Sequence, residues 1–353
     1  MTPEFWRGRR VFLTGHTGFK GAWLSLWLQR LGAIVQGYAL APPTQPSLFE
    51  VAAVASEMIS DIGDVRDLRT LTAAMQSFNT EIVIHMAAQS LVRASYDEPV
   101  ETYATNVMGT VHVLEAVRHT PSVRAVLVIT SDKCYQNQEW VYGYREQDAL
   151  GGRDPYSNSK ACAELVTSAY RDSFLASDRL GVATARAGNV IGGGDWARDR
   201  LIPDLIQAFI NGMPAKIRNP SSVRPWQHVL EPLHGYLTLL EALWNDPKRH
   251  ADGWNFGPDE RDARPVKWIA DELVGCWGNS ARWESDGGEH PHEAGLLRLD
   301  SAKAHTYLSW QPQLSLAEAL RWVTDWYQAY ARGENMRAVT LEQIGHYQSK
   351  VVA

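Results

Sequence analysis

The 353 residues, 45% hydrophobic and 21% charged, have the balance of a soluble globular chain able to bury a core in one large or two modest domains. A formal net charge of −6, with no run rich in Lys and Arg, excludes the footprint of a nucleic-acid binder. No apolar run approaches membrane-spanning length, and the first strand starts too early for a secretory core before it, so a cytoplasmic protein is expected. From the N-terminus, "RVFLT" at 10–14 reads as a strand and ends in "GHTGFKG", with a helical pattern over 21–32. Strand-length runs at 33–40, 81–89, 125–131 and 181–190 then alternate with helix-period stretches at 68–78, 107–119 and 159–174. Such alternation predicts an α/β protein with a doubly wound parallel sheet, helices covering both faces. After residue 190 the texture changes to Gly- and Pro-rich loops, "IGGGDW", "RNPSSVRPW" and "NFGPDERDARP", between helical patterns. A Rossmann domain is therefore expected over 1–190 and a smaller region over 191–353, with room for segments that return to the first sheet. The last helical pattern opens at Ser315 with Glu318 three residues on, the spacing of a capping box.

Three cysteines, Cys134, Cys162 and Cys276, are odd in number and lack CxxC spacing, which favours reduced thiols over disulfides or zinc. His290 and His292 in "HPHE" have no further ligands at metal spacing and read as a polar loop, so no metal is expected.

Chemistry enters at "TGHTGFKG". Gly15, Gly18 and Gly21 follow a strand and open a helix, where they let the turn close and bring backbone N–H groups to a pyrophosphate. After the second strand, "GYALAPPTQP" holds neither an acid for a ribose hydroxyl nor a base for a 2′-phosphate, so NAD is preferred to NADP only weakly. Asp64 and Val65 in "IGDVRD" are candidate adenine contacts, although an Asp before a helix also serves as a cap. In "DPYSNSK", Tyr156 and Lys160 lie four apart and share a helix face. A Lys ammonium beside a Tyr lowers the phenol, and the phenolate can then take a proton from a substrate hydroxyl.

With Ser131 at the end of the preceding strand, this set resembles the short-chain dehydrogenase/reductase family in its extended, sugar-nucleotide-modifying branch. Within that branch the likeness is to the nucleotide-sugar 4,6-dehydratases, and it runs through "GHTGFKGAWLSLWL", "HMAAQSLVR", "TNVMGTVHVLEAV", "ITSDKCY", "DPYSNSKACAEL", "RAGNVIGGGDWARDRLIP" and "RPWQHVLEPL". The resemblance implies NAD as resident cofactor, with contacts from Gly15, Thr17, Gly18, Phe19, Gly21, Asp64, Val65, Ala87, Ala88, Gln89, Tyr156 and Lys160. It also implies CDP-glucose as substrate, CDP-4-dehydro-6-deoxy-D-glucose as product, and a homodimer packed through helices around residues 98–118 and 156–175. Ala41 stands where relatives often carry an Asp, which weakens any ribose contact there.

By the same resemblance, hydride leaves sugar C4 for NAD and returns at C6, while a base removes the C5 proton and an acid protonates the departing C6 oxygen. Relatives acting on dTDP-glucose use neighbouring Asp and Glu as acid and base. Here the neighbours are Asp132 and Lys133, so Asp132 is the expected acid and Lys133 the candidate base, provided its amine is neutral. A solvated ion pair in a loop remains open for them. Arg186 and Arg224 are candidate diphosphate contacts because guanidinium forks match phosphate oxygens. Asn189 is a further candidate contact, Trp226 or Trp254 a candidate stacking partner for cytosine, and Asn106 a structural support. A 4-epimerase or reductase would use the same glycines and Tyr-Lys pair without the acid, and an NAD-sensing binding protein would need none of the catalytic groups.

Overall fold

A computed structural model describes residues 2–278, 281–286 and 296–352. Among the described residues twelve strands follow in chain order: β1 (Arg10–Thr14), β2 (Ile34–Ala39), β3 (Ile59–Ile62), β4 (Ile82–His85), β5 (Ala125–Ile129), β6 (Gly181–Ala187), β7 (Asn189–Ile191), β8 (Ala215–Ile217), β9 (Val223–His228), β10 (Gly253–Phe256), β11 (Ala263–Pro265) and β12 (Trp283–Ser285). Seven form one parallel sheet in the order β10-β6-β5-β4-β1-β2-β3. The chain winds outward from β1 in one direction and from β4 in the other. The two strands are neighbours, so the order reverses between them and a crevice opens beyond their C-terminal ends.

Alternation along each strand divides the apolar side chains between two cores. Val11 and Leu13 of β1, Ile82 and Ile84 of β4, and Leu127 of β5 pack with Trp23 and Trp27 of helix Phe19–Arg30 and Leu237 of helix Leu230–Asn245. Phe12, Val83, Val126 and Val128 point the other way, onto Leu71 and Met75 of helix Leu68–Ser77 and Val113 and Val117 of helix Gly109–Arg118. Central strands buried on both faces need the near-continuous apolar runs seen in the sequence.

The remaining strands form two small sheets, β11-β9-β7 and β12-β8. Strand β10 lies beyond residue 191 yet pairs in parallel with β6. At the far end of the chain, Ser315 and Glu318 exchange both bonds of a capping box before helix Leu316–Ala331. The final helix, Met336–Val352, returns to helix Phe19–Arg30, where Tyr347 meets Trp27 edge to face at 5.7 Å. No described helix is long and apolar enough to cross a membrane.

Candidate active site

The crevice begins at the glycine loop. Gly15 has φ +79°, a left-handed conformation that strains any other residue, and a Cβ there would lie 2.7 Å from the Ala87 backbone N. On Gly21 a Cβ would meet the Gly15 carbonyl oxygen at 2.1 Å, so the loop folds tightly only without side chains. Gly18 caps helix Phe19–Arg30 with no side-chain hydrogen bond, which leaves the first N–H groups of that helix to a ligand or solvent. Donors of that kind, at the positive end of a helix, suit a diphosphate. Thr17 donates to the Leu40 carbonyl at 2.9 Å, and Phe19 reaches across to Gly192.

Around the loop, the other candidate cofactor contacts are tied to the frame. Asp64 accepts from both the backbone N and the guanidinium of Arg66, which holds its carboxyl below the usual range. Val65 is buried among Phe12, Tyr38 and Leu71. The Ala87 N–H donates to Thr14 Oγ1 at 3.1 Å, Ala88 is half-buried, and Gln89 is braced by Asn106, whose Oδ1 accepts from the Gln89 N–H and whose Nδ2 donates to the Gln89 carbonyl and to Ser159. Asn106 sits in a π-type turn, Ala104–Met108, that leads directly into helix Gly109–Arg118, so the helix expected over 107–119 is α-helical from residue 109.

Beyond β5 the chain enters a short 3-10 turn, Asp132–Cys134, with Ser131 as its N-cap. Ser131 Oγ accepts from the Lys133 N–H at 3.2 Å and donates to Asp132 Oδ1 at 3.0 Å. Asp132 is only 4% exposed, and burial pushes its carboxyl above the usual range against the pull of Lys133, Ser131 and Arg224. Lys133 is half-buried. Tyr156 opens helix Pro155–Tyr170, which Asp154 caps by accepting from the Ser157 N–H at 2.9 Å.

The expectation that Lys160 lowers the phenol is not what the folded chain does on its own. Lys160 Nζ donates to the Ile129 carbonyl at 3.1 Å, and burial lowers its amine to about 8. Burial also pushes the Tyr156 phenol up to about 12, with a Ser131 hydrogen bond and the Arg200 charge pulling it down. Enclosure outweighs the nearby positive charge.

Two charged residues not singled out in the sequence join this cluster. Lys20 Nζ donates to the Tyr236 hydroxyl at 3.0 Å, and burial, together with the charges of Lys160 and Arg200, lowers its amine to about 7. Arg200 pairs with Asp195 at 2.9 Å and donates to Ser90. A lysine inside "GFKG", where a helix starts against a buried sheet, was the available signal for Lys20. Tyr236 had none.

Of the candidate substrate contacts, Arg186 is a correction. It forms a buried pair with Glu164 through Nε at 2.9 Å and Nη2 at 2.8 Å, and Nη1 donates to the Tyr135 hydroxyl and the Glu146 carbonyl. With its fork committed to the core, it has little left to offer a diphosphate. Trp254 is also a correction as a stacking partner, because it is 1% exposed and its indole N–H donates to the His250 carbonyl. Arg224, by contrast, sits on β9 close enough for its charge to act on Asp132, and Pro225 flanks the same carboxylate across Gly188. Trp226 is half-buried with an indole N–H that meets no protein acceptor, and Asn189 starts β7, half-buried. A cavity of about 900 Å³ opens at Pro225, lined also by Trp140, Tyr142, Arg145 and Arg298. His290 and His292 lie outside the described residues, among which no group of His, Cys, Asp and Glu has the arrangement of a metal site. The three cysteines are free.

A family model described as GDP-mannose 4,6 dehydratase matches residues 12–323. The chain is 55% identical to the curated CDP-glucose 4,6-dehydratase of Salmonella typhimurium over 99% of each chain. Among solved structures it is similar to a putative epimerase from Burkholderia cenocepacia, with TM-score 0.76 and 26% identity over 92% of this chain and 99% of the other. It also shares its fold with the dTDP-glucose 4,6-dehydratase of Bacillus anthracis in complex with NAD, with TM-score 0.76 and 18% identity over 94% of this chain and 100% of the other.

Proposed function

Since the chain belongs to the GDP-mannose 4,6 dehydratase family, we propose that it is a lyase that converts CDP-D-glucose to CDP-4-dehydro-6-deoxy-D-glucose and water, with NAD as resident cofactor. The observation that carries the reaction type is the buried acid, Asp132, hydrogen-bonded through Ser131 at the end of β5. A 4-epimerase has no use for an acid at that point. Likeness to CDP-glucose 4,6-dehydratase over nearly the whole chain supports the choice of nucleotide.

NAD would be held by Gly15, Thr17, Gly18, Phe19 and Gly21 at the glycine loop, by Asp64 and Val65 after β3, and by Ala87, Ala88 and Gln89 after β4, with Tyr156 and Lys160 completing the contact. When bound, it supplies a temporary store for the hydride taken from sugar C4 and returned at C6. Tyr156 takes the C4 hydroxyl proton, Ser131 holds that oxygen, and Asp132 gives its proton to the departing C6 oxygen. Burial suits Asp132 to this role because it keeps the carboxyl protonated above its ordinary range. Lys133 removes the C5 proton once the C4 ketone has made it acidic. Arg224 faces the diphosphate, with Asn189 and Trp226 beside it.

A homodimer in the cytoplasm completes the proposal. Tyr96, Val100, Tyr103, Met108, Leu165 and Phe174 are large apolar residues left exposed on neighbouring helices, and a partner covering them supports the dimer. Incubation of the holoenzyme with CDP-glucose tests the activity. The 4-ketosugar, read by its absorbance in alkali, is the expected product, and a product with an intact C6 hydroxyl overturns the reading.

A further inference from the structure

Asp132 and Lys133 lie in a single 3-10 turn whose own bonds are long, with the Cys134 N–H on the Ser131 carbonyl at 3.2 Å and the Tyr135 N–H on the Asp132 carbonyl at 3.4 Å. A turn so loosely closed depends on what holds its ends. Its entry belongs to the large sheet, because the Thr130 N–H donates to the Ala185 carbonyl of β6 at 2.9 Å. Its exit does not. There the Gly151 N–H donates to the Cys134 carbonyl and the Gln136 N–H to the Ala149 carbonyl, so the backbone is tied to a segment outside that sheet.

The Tyr135 side chain supplies the missing tie. Its hydroxyl donates to Asn255 Oδ1 of β10 and accepts from Arg186 Nη1 of β6, both at 2.7 Å, and the guanidinium lies 5.0 Å from the centre of the Tyr135 ring. Arg186 is fixed in turn by Glu164, through Nε at 2.9 Å and Nη2 at 2.8 Å. The two oxygens of Glu164 also accept from the hydroxyls of Thr130 and Thr184. A Cβ on Gly253 would lie 2.6 Å from Nη2, so β10 leaves room for the guanidinium only by having glycine there. Thr130 before the turn and Tyr135 after it are thus attached to one ion pair. Glu164 stands one helical turn beyond Lys160 and two beyond Tyr156 on helix Pro155–Tyr170. We propose that the Arg186–Glu164 pair is a positioning device for the reaction, fixing the turn that carries Asp132 and Lys133 against the helix that carries Tyr156 and Lys160. The inference rests on the dehydratase reading above, because a dehydratase needs both sets of groups on one sugar.

Stability alone does not call for charges at this depth. Arg186 and Glu164 are each 4% exposed, and a buried ion pair gives up so much hydration that apolar residues of similar volume often serve as well. What the guanidinium adds is direction. Its donors point along fixed lines in one plane, and four of the five N–H groups are used here, the fourth on the Glu146 carbonyl at 3.0 Å. Direction matters because the chemistry moves along the sugar. Tyr156 works at C4, while Lys133 and Asp132 work at C5 and C6, so a turn displaced relative to the helix leaves the first stage in reach and takes the second out of it. Asp132 also packs over Gly188, two residues beyond Arg186, so the strand that carries the guanidinium runs on beneath the acid.

Two variants loosen the exit of the turn and leave in place Glu164, whose charge acts on Lys160. Tyr135→Phe keeps the ring and the ion pair and removes the hydroxyl. Arg186→Lys keeps a charge beside Glu164 and removes the fork. Stopped-flow mixing of NAD-loaded holoenzyme with CDP-glucose reads the two stages separately, the first by the near-ultraviolet absorbance of reduced nicotinamide and the second by ketosugar formed. Ser131 follows Thr130 at the sheet-bound entry, and Tyr156 and Lys160 are untouched, so cofactor reduction should keep its unmutated rate. Ketosugar formation should fall by on the order of 100-fold in Arg186→Lys, the cost of a displacement of about 1 Å, and by less in Tyr135→Phe. Reduced cofactor should then accumulate in both, and solvent deuterium should enter C5 more slowly. Slowing of both stages by one common factor overturns the proposal and leaves the pair a stabilising contact. Ketosugar formation at the unmutated rate in Tyr135→Phe also overturns it, even should Arg186→Lys not fold. If the unmutated enzyme makes no ketosugar from CDP-glucose, the activity reading has failed before any variant is compared, and the positioning role falls with it because the turn then serves no elimination.

Discussion

Asp132 is an acid placed where ionisation is costly. Its carboxyl is raised above the ordinary 3.8, so the native state holds the proton more tightly than the unfolded chain does. The sign follows: the associated stability is complete below the unfolded value and is lost as pH rises through the folded value. Asp132→Asn cannot ionise and escapes that loss. The variant should melt at a higher temperature than the unmutated protein at about pH 8, and the gain should shrink toward zero at about pH 4. A melting difference that grows on acidification would refute the assignment. Catalytic need and stability are opposed at this residue. Its neighbour is tested by exchange. Lys133→Met keeps the stem and removes the amine, so the bound 4-ketosugar should no longer take solvent deuterium at C5, whereas Asp132→Asn should still allow it. Unimpaired exchange in Lys133→Met would place the base elsewhere, and Lys20, with its amine lowered to about 7 in the same cluster, is the next amine to test.

Elements carry their own signals at their ends. Asp67 and Asp154 each cap a helix through a backbone N–H three residues on, and Ser315 with Glu318 closes a capping box. Helix Phe19–Arg30 is the contrast, because Gly18 at its start leaves the N–H groups without a side-chain partner. A helix end that the protein itself does not satisfy is the element-scale feature of a dinucleotide site. Gly15→Ala tests it, since the new Cβ would need φ +79° and would lie 2.7 Å from backbone that cannot swing aside. The left-handed conformation alone costs roughly 1–2 kcal/mol. The variant should lose NAD binding by isothermal titration while retaining a helical circular dichroism spectrum, and NAD affinity equal to that of the unmutated protein would contradict the cradle.

At the scale of the whole molecule, six large exposed apolar residues, Tyr96, Val100, Tyr103, Met108, Leu165 and Phe174, gather on neighbouring helices. Val100 at 81% and Leu165 at 59% exposure belong to helices Pro99–Tyr103 and Pro155–Tyr170, which pack together on the flank that also carries Tyr156. A surface of this kind favours a partner of the same chain, with a two-fold axis between equivalent helices. Sedimentation velocity should give a dimer for the unmutated protein and a monomer for the double variant Val100→Asp, Leu165→Asp. An unmutated monomer at micromolar concentration would contradict the proposed assembly.

What the sequence determined by itself was local. The strand runs at 10–14 and 125–131, the glycine spacing, the Tyr156-Lys160 interval and the capping box at Ser315 each depend on residues within a few positions, where backbone geometry alone fixes the consequence. Strand β3, with Ser60 and Asp61 between two exposed isoleucines, carries no such run and exists because β2 offers it a ladder of backbone partners. Tertiary structure decided the fate of the charges. Arg186 and Arg224 look alike in the sequence, but Glu164 on helix Pro155–Tyr170 holds one in the core, while the other lies half-buried on β9, near enough for its charge to act on Asp132. Lys20 meets Tyr236 across a separation of 216 residues, and no periodicity reports a contact of that range. The physical reason is the same in each case: the ionisation of a side chain depends on how much water is removed from it and which distant groups replace that water, and only the packed chain fixes both.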